Sequence, residues 1–337
     1  MNNFDDEITE NQYIEQSFDQ NDINNSTSFE ELERLENERF GEMDHKLPGL
    51  LTKLVMGLIA YMISFQLIAG IASRKLEMGV SLILGAVISI FFLKTIVKKP
   101  VFSQIFSYKK RDFRLSDVFF FFGMTMLINI PVNKLVSYIL ERLNIESIDV
   151  MDVFSNNMSP ILILYVVLIG PLVEEIIYRG FLLQNLKDYS KQAALIVSTL
   201  AFALMHGNIS QSLGVLGISF VFNYIGIFYS WKFAFVMHII NNLVAMTVTY
   251  LTQLTVEGES PIAFWIIVAF GLVVLLSILY TFIKLIRGRG QEIRNDLKTN
   301  DMDRRYRNRI IFSLPMLTLF AFYIALMVLT KYYENMV

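Results

Sequence analysis

Apolar runs of about 20 residues recur from Leu50 almost to the end of the chain, separated by short polar breaks. The hydrocarbon core of a bilayer is about 30 Å thick, so a helix needs about 20 apolar residues to cross it. Because 54% of the 337 residues are hydrophobic and the mean hydropathy is +0.48, a water-soluble enzyme is excluded. The sequence therefore predicts an all-α, polytopic bundle of transmembrane helices.

Nine segments are predicted to span the membrane. They cover residues 50–72, 78–97, 115–140, 160–186, 192–208, 212–230, 233–252, 263–284 and 309–330. The loops 94–114, 187–192, 231–232 and 284–309 lie on one side and hold 19 Lys and Arg. The other side holds only Arg74, Lys75, Arg142 and Lys331. Since basic loops stay in the cytosol, we expect the amino terminus inside and the carboxyl terminus outside.

Residues 1–46 differ in composition from the rest of the chain. They hold 14 acidic and 3 basic residues, which predicts a mostly disordered, acidic cytosolic tail. Within it, Ser28 followed by Glu31 is a capping-box start that favours a short solvated helix. The basic runs Lys109–Arg111 and Arg304–Arg305 lie beside predicted spans. They therefore indicate membrane topology and contacts with anionic lipids, and no nucleic-acid partner is expected.

The fourth predicted span carries several ionisable side chains, which are costly inside a bilayer and therefore mark functional candidates. Glu175 and Arg179 are four residues apart on one helical face, so they can neutralise each other. Glu174 lies about 100° around the helix and has no partner within it. It therefore either faces a wet cavity or is held neutral by desolvation.

Two of the three histidines lie in predicted spans. Phe202 and His206 share one face of the fifth span, and His238 and Asn242 share one face of the seventh. The fourth and fifth spans form a hairpin whose turn centres near Ser190, which places Glu174 and His206 at the same depth, about 20 Å from the inner surface. The chain has no cysteine, which excludes a cysteine nucleophile and thiolate zinc sites.

These residues form an ordered set of three motifs: Glu-Glu-x-x-x-Arg (Glu174, Glu175, Arg179), Phe-x-x-x-His (Phe202, His206) and His-x-x-x-Asn (His238, Asn242). The set resembles the CAAX protease and bacteriocin-processing family, also called Abi or type II CAAX prenyl endopeptidase-like. That family comprises intramembrane proteases. The resemblance covers roughly residues 160–250, and all three motifs are complete.

The resemblance implies an intramembrane endopeptidase that cleaves a membrane-associated peptide or protein. Glu174 and His206 would activate a water molecule, His238 and Asn242 would stabilise the oxyanion, and Glu175, Arg179 and Phe202 would support the geometry. No cofactor is expected. Zinc is the alternative, because Glu174, His206 and His238 are also suited to a His₂Glu site with one open position. The sequence contains no HExxH motif.

The expected organisation is an acidic tail (1–46), three flanking spans (47–159), a catalytic four-span core (160–252), and two carboxyl-terminal spans with a basic cytosolic loop (253–337). We expect a multi-pass protein of the cell membrane, with a bacterial plasma membrane as the predicted location. A non-proteolytic membrane scaffold on the same fold is the alternative function, since a fold does not fix function. The sequence does not define the substrate or the oligomeric state.

Overall fold

A computed structural model describes residues 29–97, 110–145, 159–256, 258 and 260–334. Within these residues all regular elements are helices, which confirms the predicted all-α class. They are α1 (Phe29–Ala72), α2 (Met78–Val97), α3 (Leu115–Arg142), α4 (Pro160–Lys187), α5 (Lys191–Leu204), α6 (Ile209–Gly214), α7 (Leu216–Phe228), α8 (Trp231–Val256), α9 (Pro261–Lys284), α10 (Gly290–Asp296), α11 (Asp301–Ile311) and α12 (Leu314–Glu334).

A serine side chain caps the amino terminus of three helices in the bundle. Ser159 accepts a hydrogen bond from the Leu162 amide at the start of α4, and Ser260 accepts one from Ala263 at the start of α9. In both helices a proline follows the serine. Proline lacks a backbone N–H, but at the first helical position this N–H would have no partner within the helix. Ser190 caps α5 in the same way, so the hairpin turn between α4 and α5 lies where the sequence predicts it.

Seven helices of the described chain are long and apolar enough to cross a membrane: α1, α2, α3, α4, α8, α9 and α12. The other two predicted spans, 192–208 and 212–230, correspond to α5 and α7, which have 14 and 13 residues. At 1.5 Å per residue they are about 21 and 20 Å long, shorter than the hydrocarbon core. Length therefore supports seven spans rather than nine, and the orientation of the termini stays a prediction.

The short helices are apolar because protein surrounds them. Most side chains of α7 are buried, from Ile218 to Phe228, and α7 packs against α3, α5 and α8. Gly226 lies so close to α4 that an added Cβ would come within 3.3 Å of the Arg179 side chain. Helices α5 and α7 are thus internal walls of the bundle, placed against the polar stretch of α4.

Two regions on the basic side of the bundle contain more helix than the sequence predicts. Helix α1 begins at Phe29, so residues 29–46 of the predicted tail are helical and continuous with the first span; Ser28 and the preceding residues lie outside the described part. The predicted basic loop 284–309 contains α10 and most of α11. Contacts between the two regions explain the difference, because Asp44 of α1 accepts hydrogen bonds from Arg305 and Arg309 of α11.

Helix α4 contains two π-helical segments, Tyr165–Ile169 and Glu175–Leu183, which the sequence does not reveal. Such segments leave backbone groups without their usual helical partners and occur frequently at functional sites. Here the Ser198 hydroxyl of α5 donates to the Tyr178 carbonyl, at 3.0 Å. The neighbouring helices therefore stabilise the distorted stretch of α4 that carries the ionisable residues.

Candidate functional site

The charged residues of α4 lie in the middle of the bundle. The Arg179 guanidinium is 3.1 Å from Glu175 Oε1, and both side chains are 0% exposed. This contact confirms the ion pair that the four-residue spacing predicts. An unpaired charge at this position would be strongly destabilising, so the pair keeps either group from being buried alone.

The imidazole of His238 lies between the two carboxylates of α4. Its Nδ1 is 2.8 Å from Glu175 Oε1, and its Nε2 is 3.5 Å from Glu174 Oε2. Glu175 therefore contacts both Arg179 and His238, whereas the sequence indicates only the first contact. Glu174, which has no partner in its own helix, faces α8 and keeps 24% of its side chain exposed.

The hydrogen bond from His238 to Glu175 fixes where the imidazole carries a proton. An ionised carboxylate only accepts hydrogen bonds, so Nδ1 must donate. The Nε2 atom is then directed at Glu174. A carboxylate that orients a functional histidine in this way sets both its tautomer and its ring position.

His206 follows the last turn of α5 and is held by the backbone of that turn. Its Nδ1 is 2.9 Å from the Phe202 carbonyl oxygen, and a carbonyl oxygen can only accept, so Nδ1 carries the proton. The Nε2 lone pair of a neutral His206 is then available as an acceptor. His206 is 15 residues after the start of α5, which places it about 22 Å along the helix, near the depth of Glu174.

The ring of Phe202 contacts one side chain from each of the three motifs. Its centroid is 5.1 Å from the His206 ring and 5.8 Å from the His238 ring, both in edge contacts. The Arg179 guanidinium stacks over the same ring at 4.2 Å, a cation–π contact that also covers the buried charge. Phe202 therefore brings the second and third predicted motifs against the first.

Asn242 lies one helical turn beyond His238 on α8. Its Nδ2 donates to the Val166 carbonyl at 2.9 Å, within the first π-helical segment of α4. An amide nitrogen carries two hydrogens, so one N–H remains for another acceptor. The structure thus brings Glu174, His206 and His238 together where α4, α5 and α8 meet, and places Asn242 one turn further along α8.

Residues 156–244 match the family model described as type II CAAX prenyl endopeptidase Rce1-like. This part of the chain is similar to that family. The match covers about a quarter of the chain, includes every residue of the three motifs, and confirms the family that the motifs indicate. No curated protein and no solved structure matches the chain. With the seven span-length helices, the match indicates a multi-pass membrane protein with a peptidase activity of the CAAX protease type.

The Rce1-like segment also contains contacts that the sequence motifs do not include. The Phe222 ring lies 5.4 Å from the His238 ring and 5.6 Å from the Arg179 guanidinium. Ser219, one turn earlier on α7, accepts from Arg179 at 3.5 Å. The sequence signal for these contacts is Asn223, a buried amide in a mostly apolar helix, which donates to Thr199 of α5. Its presence marks the face of α7 that is directed at the site.

The alternative zinc site predicted from the sequence would use Glu174, His206 and His238 as ligands. Within the described residues no three His, Asp or Glu side chains form a group that could hold a metal ion. His206 directs its Nδ1 to its own backbone, and Glu174 contacts only one of the two imidazoles at 3.5 Å. The side chains therefore do not fit a preformed His₂Glu site.

Proposed function

We propose that this protein is an intramembrane endopeptidase of a bacterial plasma membrane that hydrolyses a peptide bond of a membrane-associated peptide or protein. The family match supports the reaction class. The observation that carries the proposal is the position of His238 between Glu174 and Glu175, with a second imidazole on the same Phe202 ring. A purely structural ion pair would need Glu175 and Arg179 but neither histidine.

Glu174 and His206 are assigned to activating the hydrolytic water. The Glu174 carboxylate keeps 24% of its side chain exposed, and a carboxylate that a water molecule can reach is suited to act as a general base. The Nε2 lone pair of His206 provides a second acceptor for a water proton. General base catalysis of this kind contributes about 10²–10⁴-fold to the rate.

His238 and Asn242 are assigned to stabilising the oxyanion of the tetrahedral intermediate. The free N–H of Asn242 is a neutral donor for this purpose. His238 already uses its Nδ1 proton on Glu175, so it can donate from Nε2 only as an imidazolium. Glu175 would stabilise that positive charge, which gives the second glutamate of the motif a positioning role in addition to its pairing with Arg179.

A cleavage assay on the purified full chain tests the proposal. The protein would be reconstituted in lipid vesicles and incubated with a farnesylated CAAX peptide and with the same peptide lacking the prenyl group, and the products read by mass spectrometry. We expect hydrolysis by the wild type and a loss of at least about 100-fold in Glu174→Gln, because the amide cannot accept a proton.

A matched substitution separates this effect from damage to the protein. Glu141 is exposed in the last turn of α3, so Glu141→Gln makes the same chemical change far from the site. Equal activity of Glu174→Gln and Glu141→Gln would remove Glu174 from the mechanism. If the folded wild type cleaves neither form of the peptide nor a library of membrane peptides, the non-proteolytic scaffold becomes the better explanation.

A further inference from the structure

A cavity of about 420 Å³ lies at the basic end of the bundle, away from the Rce1-like motifs. It is located between the start of α3 and the end of α9. Four basic side chains line it, contributed by Arg111, Arg114, Lys284 and Arg289. The rings of Phe120, Tyr229 and Tyr280 form its inner wall. Nothing in the proposed peptidase mechanism uses this cavity.

Two of the four basic residues are held by carboxylates and make the wall rigid. Arg111 forms two hydrogen bonds with Asp296, at 2.7 and 2.6 Å, and these bonds raise the pKa of its guanidinium. Arg289 bonds Asp117 and Glu292, both at 2.7 Å. Bidentate and charge-assisted contacts of this kind fix the orientation of a side chain.

The other two basic residues have no carboxylate partner in the described part of the chain. Arg114 is exposed immediately before α3, and Lys284 is exposed at the last residue of α9, with its Nζ 5.4 Å from the centre of the Tyr280 ring. Arg114 and Lys284 therefore add two exposed positive charges to a cavity whose four basic side chains outnumber its two carboxylates, Asp112 and Asp117. An anionic group is the complement of such a cavity.

Exposed apolar side chains lie beside the opening of this cavity. Leu115 is 73% exposed and Phe119 46% exposed on α3, and Phe282 is 56% exposed on α9. Both helices are long and apolar enough to span the membrane, so these side chains follow the opening toward the hydrocarbon core. The cavity therefore offers basic side chains at its opening, with apolar side chains next to them. A phospholipid has the matching arrangement, a charged headgroup followed by acyl chains.

We propose that this cavity binds the phosphate-containing headgroup of an anionic phospholipid in the leaflet on the basic side of the protein. Arg114 and Lys284 contact the phosphate. The Ser116 hydroxyl and the Asp112 carboxylate, which also line the cavity, suit the hydroxyl groups of a glycerol headgroup. A free phosphate offers the same charge without acyl chains, and the position beside exposed apolar residues favours the lipid.

Native mass spectrometry of the purified full chain tests this proposal. The protein would be titrated with phosphatidylglycerol, with phosphatidylcholine, and with inorganic phosphate followed by phosphatidylglycerol. We expect a preference for phosphatidylglycerol over phosphatidylcholine that phosphate at millimolar concentration does not abolish. In Arg114→Gln/Lys284→Gln we expect the affinity for phosphatidylglycerol to fall about 30-fold, as for two basic residues near a membrane surface.

The control variant removes the same charge elsewhere on the surface. Lys134 and Arg142 are exposed toward the other end of α3, so Lys134→Gln/Arg142→Gln should keep the wild-type preference. Because all four side chains are exposed, both variants should fold, and Arg114→Lys/Lys284→Arg should retain binding. Equal losses in the two Gln variants, equal affinity for the two lipids, or displacement of the lipid by phosphate would each overturn the proposal.

Discussion

Two of the clusters in which an arginine contacts a carboxylate differ sharply in burial, one in the middle of α4 and one at the junction between α1 and α11. Glu175 and Arg179 are 3.1 Å apart and fully buried. Asp44 and Arg305 are closer, at 2.7 Å, but 31% and 43% of their side chains are exposed. The shorter contact is expected to matter less, because water screens it and solvates either partner when the other is lost. Burial rather than distance therefore determines how much each contact contributes to stability.

The two clusters also differ in what their carboxylates contact. Glu175 joins an arginine to an imidazole of the candidate active site. Asp44 accepts from two arginines of one helix and contacts no residue of the site. The first cluster therefore connects the packing of α4 to the candidate active site, whereas the second holds two peripheral helices together. The predictions below follow this difference, from the largest expected effect to the smallest.

Removing Arg179 should have the largest effect on folding. Arg179→Ala leaves the Glu175 carboxylate buried without its cation, at a cost of about 3–5 kcal/mol. Glu175→Gln/Arg179→Met should recover part of this loss, since Glu175 Oε2 and Arg179 Nε make no hydrogen bonds within the described residues. Thermal unfolding and the yield of monodisperse protein measure the effect. A double variant no more stable than Arg179→Ala would show that the pair does not act as a unit.

Replacing the two histidines tests the assignment of roles and the question of zinc. His238→Ala should lower turnover about 10²–10³-fold, the effect of losing one oxyanion donor. His206→Ala should remove water activation and change the pH dependence of kcat. In a zinc enzyme, either change would instead lower the metal content, and a strong chelator would inactivate the wild type until zinc is added back. Stoichiometric zinc that is lost together with activity in His238→Ala would contradict the expectation that the enzyme needs no cofactor.

The Glu175→Gln variant separates the positioning role of this residue from a structural one. The amide retains its size but stabilises neither an imidazolium nor the buried Arg179 guanidinium, so the yield of folded protein should also fall, and kcat is measured per folded molecule. We expect kcat to fall about 10–100-fold, as when a carboxylate that orients a metal-bound histidine is lost. KM should change little, and the pH profile of kcat should shift, because the protonated form of His238 loses its counter-charge. An unchanged pH profile with a proportional loss of folded protein would reduce Glu175 to a structural residue.

The sequence predicts those contacts of the site that join two residues of the same helix. Spacing alone puts Glu175 beside Arg179, and Phe202 beside His206. The contact between Glu175 and His238 joins residues 63 positions apart, so it depends on the rotation of α4 against α8, which no local pattern specifies. The same holds for the bond from Asn242 to Val166, which needs a π-helical distortion of α4.

The prediction of the fold from the sequence is limited in a similar way. Apolar composition does not distinguish a helix that faces lipid from one that faces protein, which is why α5 and α7 resemble full spans in the sequence. Their lengths of 14 and 13 residues become clear only from where the helices end. The helical state of residues 29–46 likewise depends on contacts with α11, more than 250 residues away in the chain.

A buried carboxylate outside the membrane core should give an intermediate effect. Asp303 is buried at the start of α11, where it accepts from the Ser190 hydroxyl at 2.9 Å and from the Gln192 amide at 3.1 Å. Asp303→Asn removes the charge that strengthens these bonds and should lower the free energy of unfolding by about 1–2 kcal/mol. Chemical denaturation in detergent measures it. A loss as large as that of Arg179→Ala would mean that burial at the edge of the bundle is as demanding as burial at its centre.

The smallest effect is expected at the exposed cluster, in Arg305→Gln. Asp44 keeps its second partner, Arg309, at 2.5 Å, and the lost contact is one that water and salt already weaken, so the change in stability should be close to the limit of measurement. Catalysis should be unchanged, because no residue of the α4 site contacts this cluster in the described structure. The difference between wild type and variant should shrink further as ionic strength rises, since exposed charges are screened over about 10 Å in 0.1 M salt. A salt-independent loss of several kcal/mol would break the comparison, because it would show that the junction of α1 with α11 is as water-excluded as the pair within α4.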